Sequence, residues 1–219
     1  MIHWMQKLFR SSIGRKSVMA VSGLLLTGFL VAHLAGNLLL FKDQSGAAFD
    51  GYERMLTSNP LLPLAEAGLL ALFVAHIVMA LVVAAKNSSA RSARYEVEAA
   101  HGGKTFSSKT MLITGLVVLG FLVIHILDFR VAKITKDEYS MFQMVKERLS
   151  SPVGASVYII AMLALGLHLR HAFQSALQTL GLNHPRWTPL VHKLSIALAL
   201  ILALGFSSIP IYFLATSGQ

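Results

Sequence analysis

The sequence predicts an all-α integral membrane protein of five transmembrane helices, and three observations carry that prediction. Of its 219 residues 55% are hydrophobic and 13% charged, whereas soluble domains hold about 45–50% apolar and about 25% charged residues. Mean hydropathy is +0.63. Five apolar runs, at 17–41, 61–85, 110–129, 153–180 and 190–215, reach the roughly 20 residues that a bilayer core demands. The charges, finally, are sorted between the connections. Lys7, Arg10, Arg15, Lys16, Lys86, Arg91, Arg94, Lys104, Lys109, Arg170, Arg186 and Lys193 fall on one side with only Glu96 and Glu98, giving +10. Lys42, Arg54, Arg130, Lys133, Lys136, Lys146 and Arg148 fall on the other with the remaining eight acids, giving −1. Basic residues concentrate on the cytoplasmic side of short loops, so the N-terminus is expected inside and the C-terminus outside. The net charge of +9 then records topology, and nucleic acid is not an expected partner.

The first run, SVMAVSGLLLTGFLVAHLAGNLLLF, has 25 residues and no small-residue cleavage site, so it reads as a retained span. The second to fourth runs carry acids only near their ends. The fifth has no ionisable group in its apolar stretch, and Pro210 is expected to kink its outer end. It reads as a helix that flanks the other four. Connections are short except the inner loop at 86–109 and the outer segment at 130–152, neither large enough for a catalytic domain. Residues 1–219 therefore read as one membrane domain. Chemistry on a water-soluble substrate falls to another chain or to a cofactor held among the helices.

Cysteine is absent, which excludes disulfides, iron–sulfur ligation, thiolate-ligated haem and cysteine nucleophiles within the chain. Histidine occurs nine times. Ionisable side chains inside spans are rare and mark function by default, and each of the first four spans has one at a matched offset. His33 lies 16 residues beyond Ser17, while His76, His125 and His168 each lie 15 beyond Leu61, Thr110 and Val153. Successive helices run in opposite directions, so equal offsets give alternating depths. At 1.5 Å per residue, His33 and His125 fall about 22–24 Å above the inner face and His76 and His168 about 8 Å above it.

Two pairs of imidazoles in two layers roughly 15 Å apart suit two bis-histidine haems with edges close enough for direct electron transfer. One membrane histidine alone reads as a polar core residue bonded across helices. Four, one per helix at alternating depth, read as ligands. The first span reads GFLVAH and the third GFLVIH, with Phe29 and Phe121 four residues before their histidines on the same helical face. His171 follows His168 by three residues, but the 43-residue spacing from His33 to His76 recurs from His125 to His168. His171, nearer the inside, is then placed to hydrogen-bond a haem propionate, with Arg170, Arg15, Lys16 and Lys109 supplying positive charge at that level. His3, His101, His184 and His192 read as solvated or interfacial, and Trp4 and Trp187 as interfacial anchors.

Five spans with one histidine in each of the first four, SxxGRKxxMAxxGLLL opening the first, HLAGN closing it and HLRHAFQSALQTLG on the fourth resemble the di-haem cytochrome b subunit of succinate:quinone oxidoreductases. The resemblance covers nearly the whole chain. It implies a bacterial cytoplasmic-membrane anchor for a flavoprotein subunit and an iron–sulfur subunit. It further implies axial ligands His33 and His125 for an outer haem b, His76 and His168 for an inner haem b, and electron exchange with menaquinone or another quinone. Family members usually carry glycine where this chain has Ala172. Near the outer haem, Asn37, Asp50, Tyr52, Glu53 and Glu66 are candidates for contacting quinone or passing its protons. No acid lies mid-span, so a carboxylate relay across the membrane has no members.

Two other electron-transfer readings compete: a stand-alone transmembrane di-haem cytochrome b moving electrons from a cytosolic donor to an outer acceptor, and the cytochrome subunit of a hydrogenase or formate dehydrogenase. The former typically has six helices and the latter places its histidines differently. A metal or proton transporter would be expected to add mid-span acids.

Overall fold

A computed structural model describes residues 11–89, 106–135, 139–182 and 184–217, with side chains at 87–89 and 106–109 left aside. His3, Trp4 and His101 lie outside these residues, as do Lys7, Arg10, Arg91, Arg94, Glu96, Glu98, Lys104 and Lys136 and the Lys109 side chain. The described chain is helical without strands, and five of its helices are long and apolar enough to cross a membrane.

Helix α1 runs Ser12–Asn37, capped by the Ser11 hydroxyl, which accepts from the Gly14 N–H, and continues as a 3-10 turn through Phe41. It starts five residues before the apolar run at 17–41 because the cap lies upstream of it, which draws Arg15 and Lys16 into the helix. A short helix α2, Ala47–Thr57, follows Gly46, whose φ of 76° lies in the left-handed region that favours glycine. Helix α3 is Leu62–Ser89. Helix α4, Phe106–His125, passes into a π-helical stretch at Ile126–Val131 and a last α turn at Ala132–Thr135. Helix α5, Met141–Ser150, opens on a capping box between Ser140 and Gln143. Helix α6 is Pro152–Thr179 and α7 is Thr188–Thr216.

The spans do not form a symmetrical ring. Helix α3 packs on α1, α4 packs on α6, and α1 and α6 meet between them, while α7 makes its main contact with α6. The fifth span is accordingly no loose flank. Leu202, Ser195, Pro210 and Phe213 of α7 are almost fully buried, and Gly166 of α6 lets Ala203 approach so closely that a Cβ there would stand 2.8 Å from the Ala203 methyl. Gly205 likewise receives Leu34 of α1. Helix α7 continues through Pro210 to Thr216.

The two short helices lie at the end where α1 and α4 finish and α6 begins, the end that the charge distribution assigns outside. Phe49 of α2 and Phe142, Val145 and Leu149 of α5 join Leu40, Tyr158, Ile209 and Phe213 in one apolar cluster. A second cluster, Leu34, Ala161, Met162, Leu165, Leu169, Ala199 and Leu202, fills the space between α1, α6 and α7. Helix α3, in contrast, has no fully buried residue among its described side chains and exposes Leu64, Leu70, Val74, Val78 and Leu81. A helix that is apolar all round suits a hydrocarbon surround.

Candidate cofactor site: two histidine pairs

The matched offsets place the four histidines in two close pairs. His33 of α1 and His125 of α4 have ring centroids 5.8 Å apart, with planes at 88°. His76 of α3 and His168 of α6 have centroids 6.5 Å apart, at 74°. Imidazole nitrogens bind metals at about 2.0–2.1 Å, so two rings on opposite sides of one ion hold their centroids roughly 6 Å apart. Both separations are of that size.

Around the first pair the helices build an aromatic enclosure. Phe29, one helical turn before His33, stacks on it at 5.2 Å, and Phe206 of α7 lies 5.8 Å away. Phe121, Phe129 and Tyr158 have ring centroids 5.6, 5.3 and 6.0 Å from that of His125. Phe29 and Phe121 are the aromatics of the GFLVxH segments. Phe129 follows His125 by four residues in the same span, whereas Tyr158 and Phe206 come from two other helices and have no sequence signal, because no motif ties them to a histidine.

In the second pair one ring is held by polar contacts. His76 Nδ1 lies 3.2 Å from the Met19 carbonyl and 3.3 Å from Ser22 Oγ, both on α1. Nδ1 of His168, like Nδ1 of His125, is buried without a hydrogen-bond partner. A ligating imidazole is normally oriented through its second nitrogen by a carbonyl or carboxylate, and the Met19 carbonyl stands in that relation to His76.

The donor set distinguishes the ligands these pairs fit. Among the described residues no three His, Asp or Glu side chains converge on one point. A bare transition-metal ion wants about four protein or water ligands, whereas haem brings four equatorial nitrogens and takes one residue on each face. Half-buried imidazoles meeting two by two fit the macrocycle.

His171 lies one turn beyond His168 and is half-buried. Arg15 is buried, with Nε donating to the Ser11 carbonyl, and Lys16 and Arg170 are exposed. Asn37 donates from Nδ2 to the His33 carbonyl at 2.8 Å. The other polar candidates at that end have structural partners. Asp50 accepts from the Phe142 N–H and so ties α2 to the start of α5. Tyr52 packs under Gly36, where a Cβ would stand 2.6 Å from its ring. Glu66 pairs with Arg130 at 2.9 Å. Asp50 and Glu53 also border a polar cleft of about 250 Å³ with Arg54, Lys133 and Tyr139, below the ~300–1,000 Å³ of small-molecule pockets.

One acidic group escaped the sequence reading. Asp128 lies within the π-helical stretch three residues after His125, and its carboxylate accepts from Arg148 Nε at 2.7 Å and from the Tyr158 hydroxyl at 2.9 Å. The π stretch is the feature that places it, since such stretches cluster at functional sites. At the other end, Trp187 is exposed with the Arg186 guanidinium 5.6 Å above its ring, and His192 bonds Gln174. Comparison with family models, with curated proteins and with solved structures finds no match for this chain.

Proposed function

We propose that the chain is the membrane-anchoring cytochrome b subunit of a succinate dehydrogenase/fumarate reductase complex in a bacterial cytoplasmic membrane. It would hold two haems b, one between His33 and His125 and one between His76 and His168, and serve electron exchange between an iron–sulfur subunit and menaquinone or another quinone. The single observation that supports this reading most is the close approach of those histidines in two separate pairs. The motifs of the first and fourth spans favour this complex over a stand-alone cytochrome.

Bound there, haem would supply reversible one-electron chemistry, held by His33 and His125 in one place and by His76 and His168 in the other. The chain's own residues do the rest. The four histidines bind and orient, and Phe29, Phe121, Phe129 and Phe206 exclude water around His33 and His125. At the same end, Asn37, Asp50, Glu53 and Glu66 are the polar groups a quinone and its protons would meet, joined by the Asp128–Tyr158 pair. The flavoprotein and iron–sulfur subunits would dock at the opposite, basic end.

Purified chain is expected to show bis-histidine haem absorption with two haems per polypeptide; a colourless protein refutes the proposal. Replacing His33 or His125 by Ala should remove one haem, and replacing His76 or His168 the other. Loss of the same haem from His33 and His76 variants would overturn the pairing. Flavin-containing and iron–sulfur subunits that co-purify select this complex, and their absence selects the stand-alone cytochrome.

A further inference from the structure

The cradle of His76 fixes which of its nitrogens carries hydrogen. The Met19 carbonyl can only accept, so a bond to His76 Nδ1 requires the hydrogen on that nitrogen. Ser22 Oγ already donates to the Val18 carbonyl at 2.7 Å, so toward Nδ1 it too presents a lone pair. Two acceptors on Nδ1 leave Nε2 as the lone-pair nitrogen of a neutral imidazole. Gly23 completes the cradle, because a Cβ there would stand 3.1 Å from His76 Cε1.

The same arrangement recurs in the second half of the chain. Met19, Ser22, Gly23, Phe29, His33 and His76 reappear 92 residues later as Met111, Thr114, Gly115, Phe121, His125 and His168. The hydroxyl and glycine placements repeat along with the residues, but Nδ1 of His168 has no hydrogen-bond partner where that of His76 has two. Thr114 Oγ1 donates to the Thr110 and Met111 carbonyls as Ser22 Oγ does to those of Val18 and Met19. Gly115 faces His168 Cε1 at 3.4 Å. Both hydroxyls are on buried residues, and each lies on the helix opposite the histidine concerned.

We propose that Ser22 and the Met19 carbonyl are positioning groups that lock His76 as its Nδ1–H tautomer with Nε2 available as ligand. This deepens the reading of His76 and His168 as axial ligands and rests on it. An acceptor on the outer nitrogen raises imidazole basicity and metal affinity. The cradle thereby strengthens His76 as a ligand of the inner haem and favours its oxidised state, while the outer pair is enclosed by aromatic rings.

The test uses the full chain with S22A, S22T as the conservative rescue, and the outer haem as internal reference. S22A should weaken retention of the inner haem about tenfold, at the low end of what loss of an orienting partner costs. It should also move the inner haem's midpoint potential upward and leave the outer haem unchanged, and S22T should behave as wild type. Unchanged inner-haem retention and potential in S22A overturns the proposal. Nitrogen-15 spectra of the haem-free chain give a readout independent of haem: His76 is expected as the Nδ1–H tautomer in wild type and as a mixture in S22A. An Nε2–H tautomer in wild type also overturns it. A chain with the expected tautomer that never takes up haem supports the hydrogen-bonded cradle and refutes the function proposed above.

Discussion

At the scale of single residues, the tightest constraints fall on small side chains where backbones turn or cross. Gly154 shows this at the start of α6. The Ser151 hydroxyl accepts from its N–H, and a Cβ at this position would collide with the Arg148 carbonyl oxygen, a backbone atom. That carbonyl cannot swing aside, because the neighbouring Leu149 is 97% buried and Arg148 is held by Asp128. Gly154→Ala is expected to destabilise the fold by about 1–3 kcal/mol, the usual cost of forcing added atoms into a packed site, read as a lower midpoint of thermal unfolding in detergent. An unchanged midpoint would show that the α5–α6 turn yields. The paired histidines, in contrast, were legible from offset alone, because an imidazole in an apolar span stands out by chemistry. The partners that orient and enclose them were not, since Ser22, Phe206 and Tyr158 are ordinary membrane-helix residues until the fold puts them beside a ring.

Elements divide in the same way between what is local and what is not. The five spans follow from hydropathy, and their observed ends lie within about five residues of the apolar runs apart from the continuation of α4 through the π-helical stretch to Thr135. The short helices α2 and α5 went unread, although S-M-F-Q at residues 140–143 is a capping-box signature. Helix α2 depends on a different device. Asp43 accepts from the Ala47 and Ala48 N–H groups and from the Ser45 hydroxyl, and the Ser45 bond foremost, with the Ala48 N–H next, holds its carboxyl below the ordinary value of 3.8. A lowered folded value means that its contribution is present above pH 3.8 and is lost as pH falls through the depressed value. Hydrogen exchange in residues 47–57 should therefore quicken below about pH 4 in wild type. In Asp43→Asn, that part of the pH dependence should be absent; an identical acid profile in both would remove Asp43 as the cap.

For the whole molecule, the sorted charges make orientation the main expectation. A reporter fused after Gln219 should be active on the outer side and one fused before Met1 on the inner side; the reverse would invert the assignment of outer and inner histidine pairs. If soluble subunits dock through the basic end, their association with the chain should weaken as salt is raised from low to physiological strength, because screening shortens the reach of exposed charges to about 8 Å. Association indifferent to salt would point to an apolar interface instead.

The sequence by itself determined the number of spans, the alternation of histidine depth and the imbalance of charge between the ends. These depend on composition, on a fixed rise per residue and on chain direction, all of which are local. Only the tertiary structure decided which helices touch. A helix that is apolar on every side carries no periodic mark of the face it turns inward, so rotation about each axis and choice of neighbour emerge only from packing. That is why α7 proved to be part of the core, why Phe206 reaches His33 and Asp128 meets Tyr158, and why the Ser22 hydroxyl of α1 faces His76 of α3.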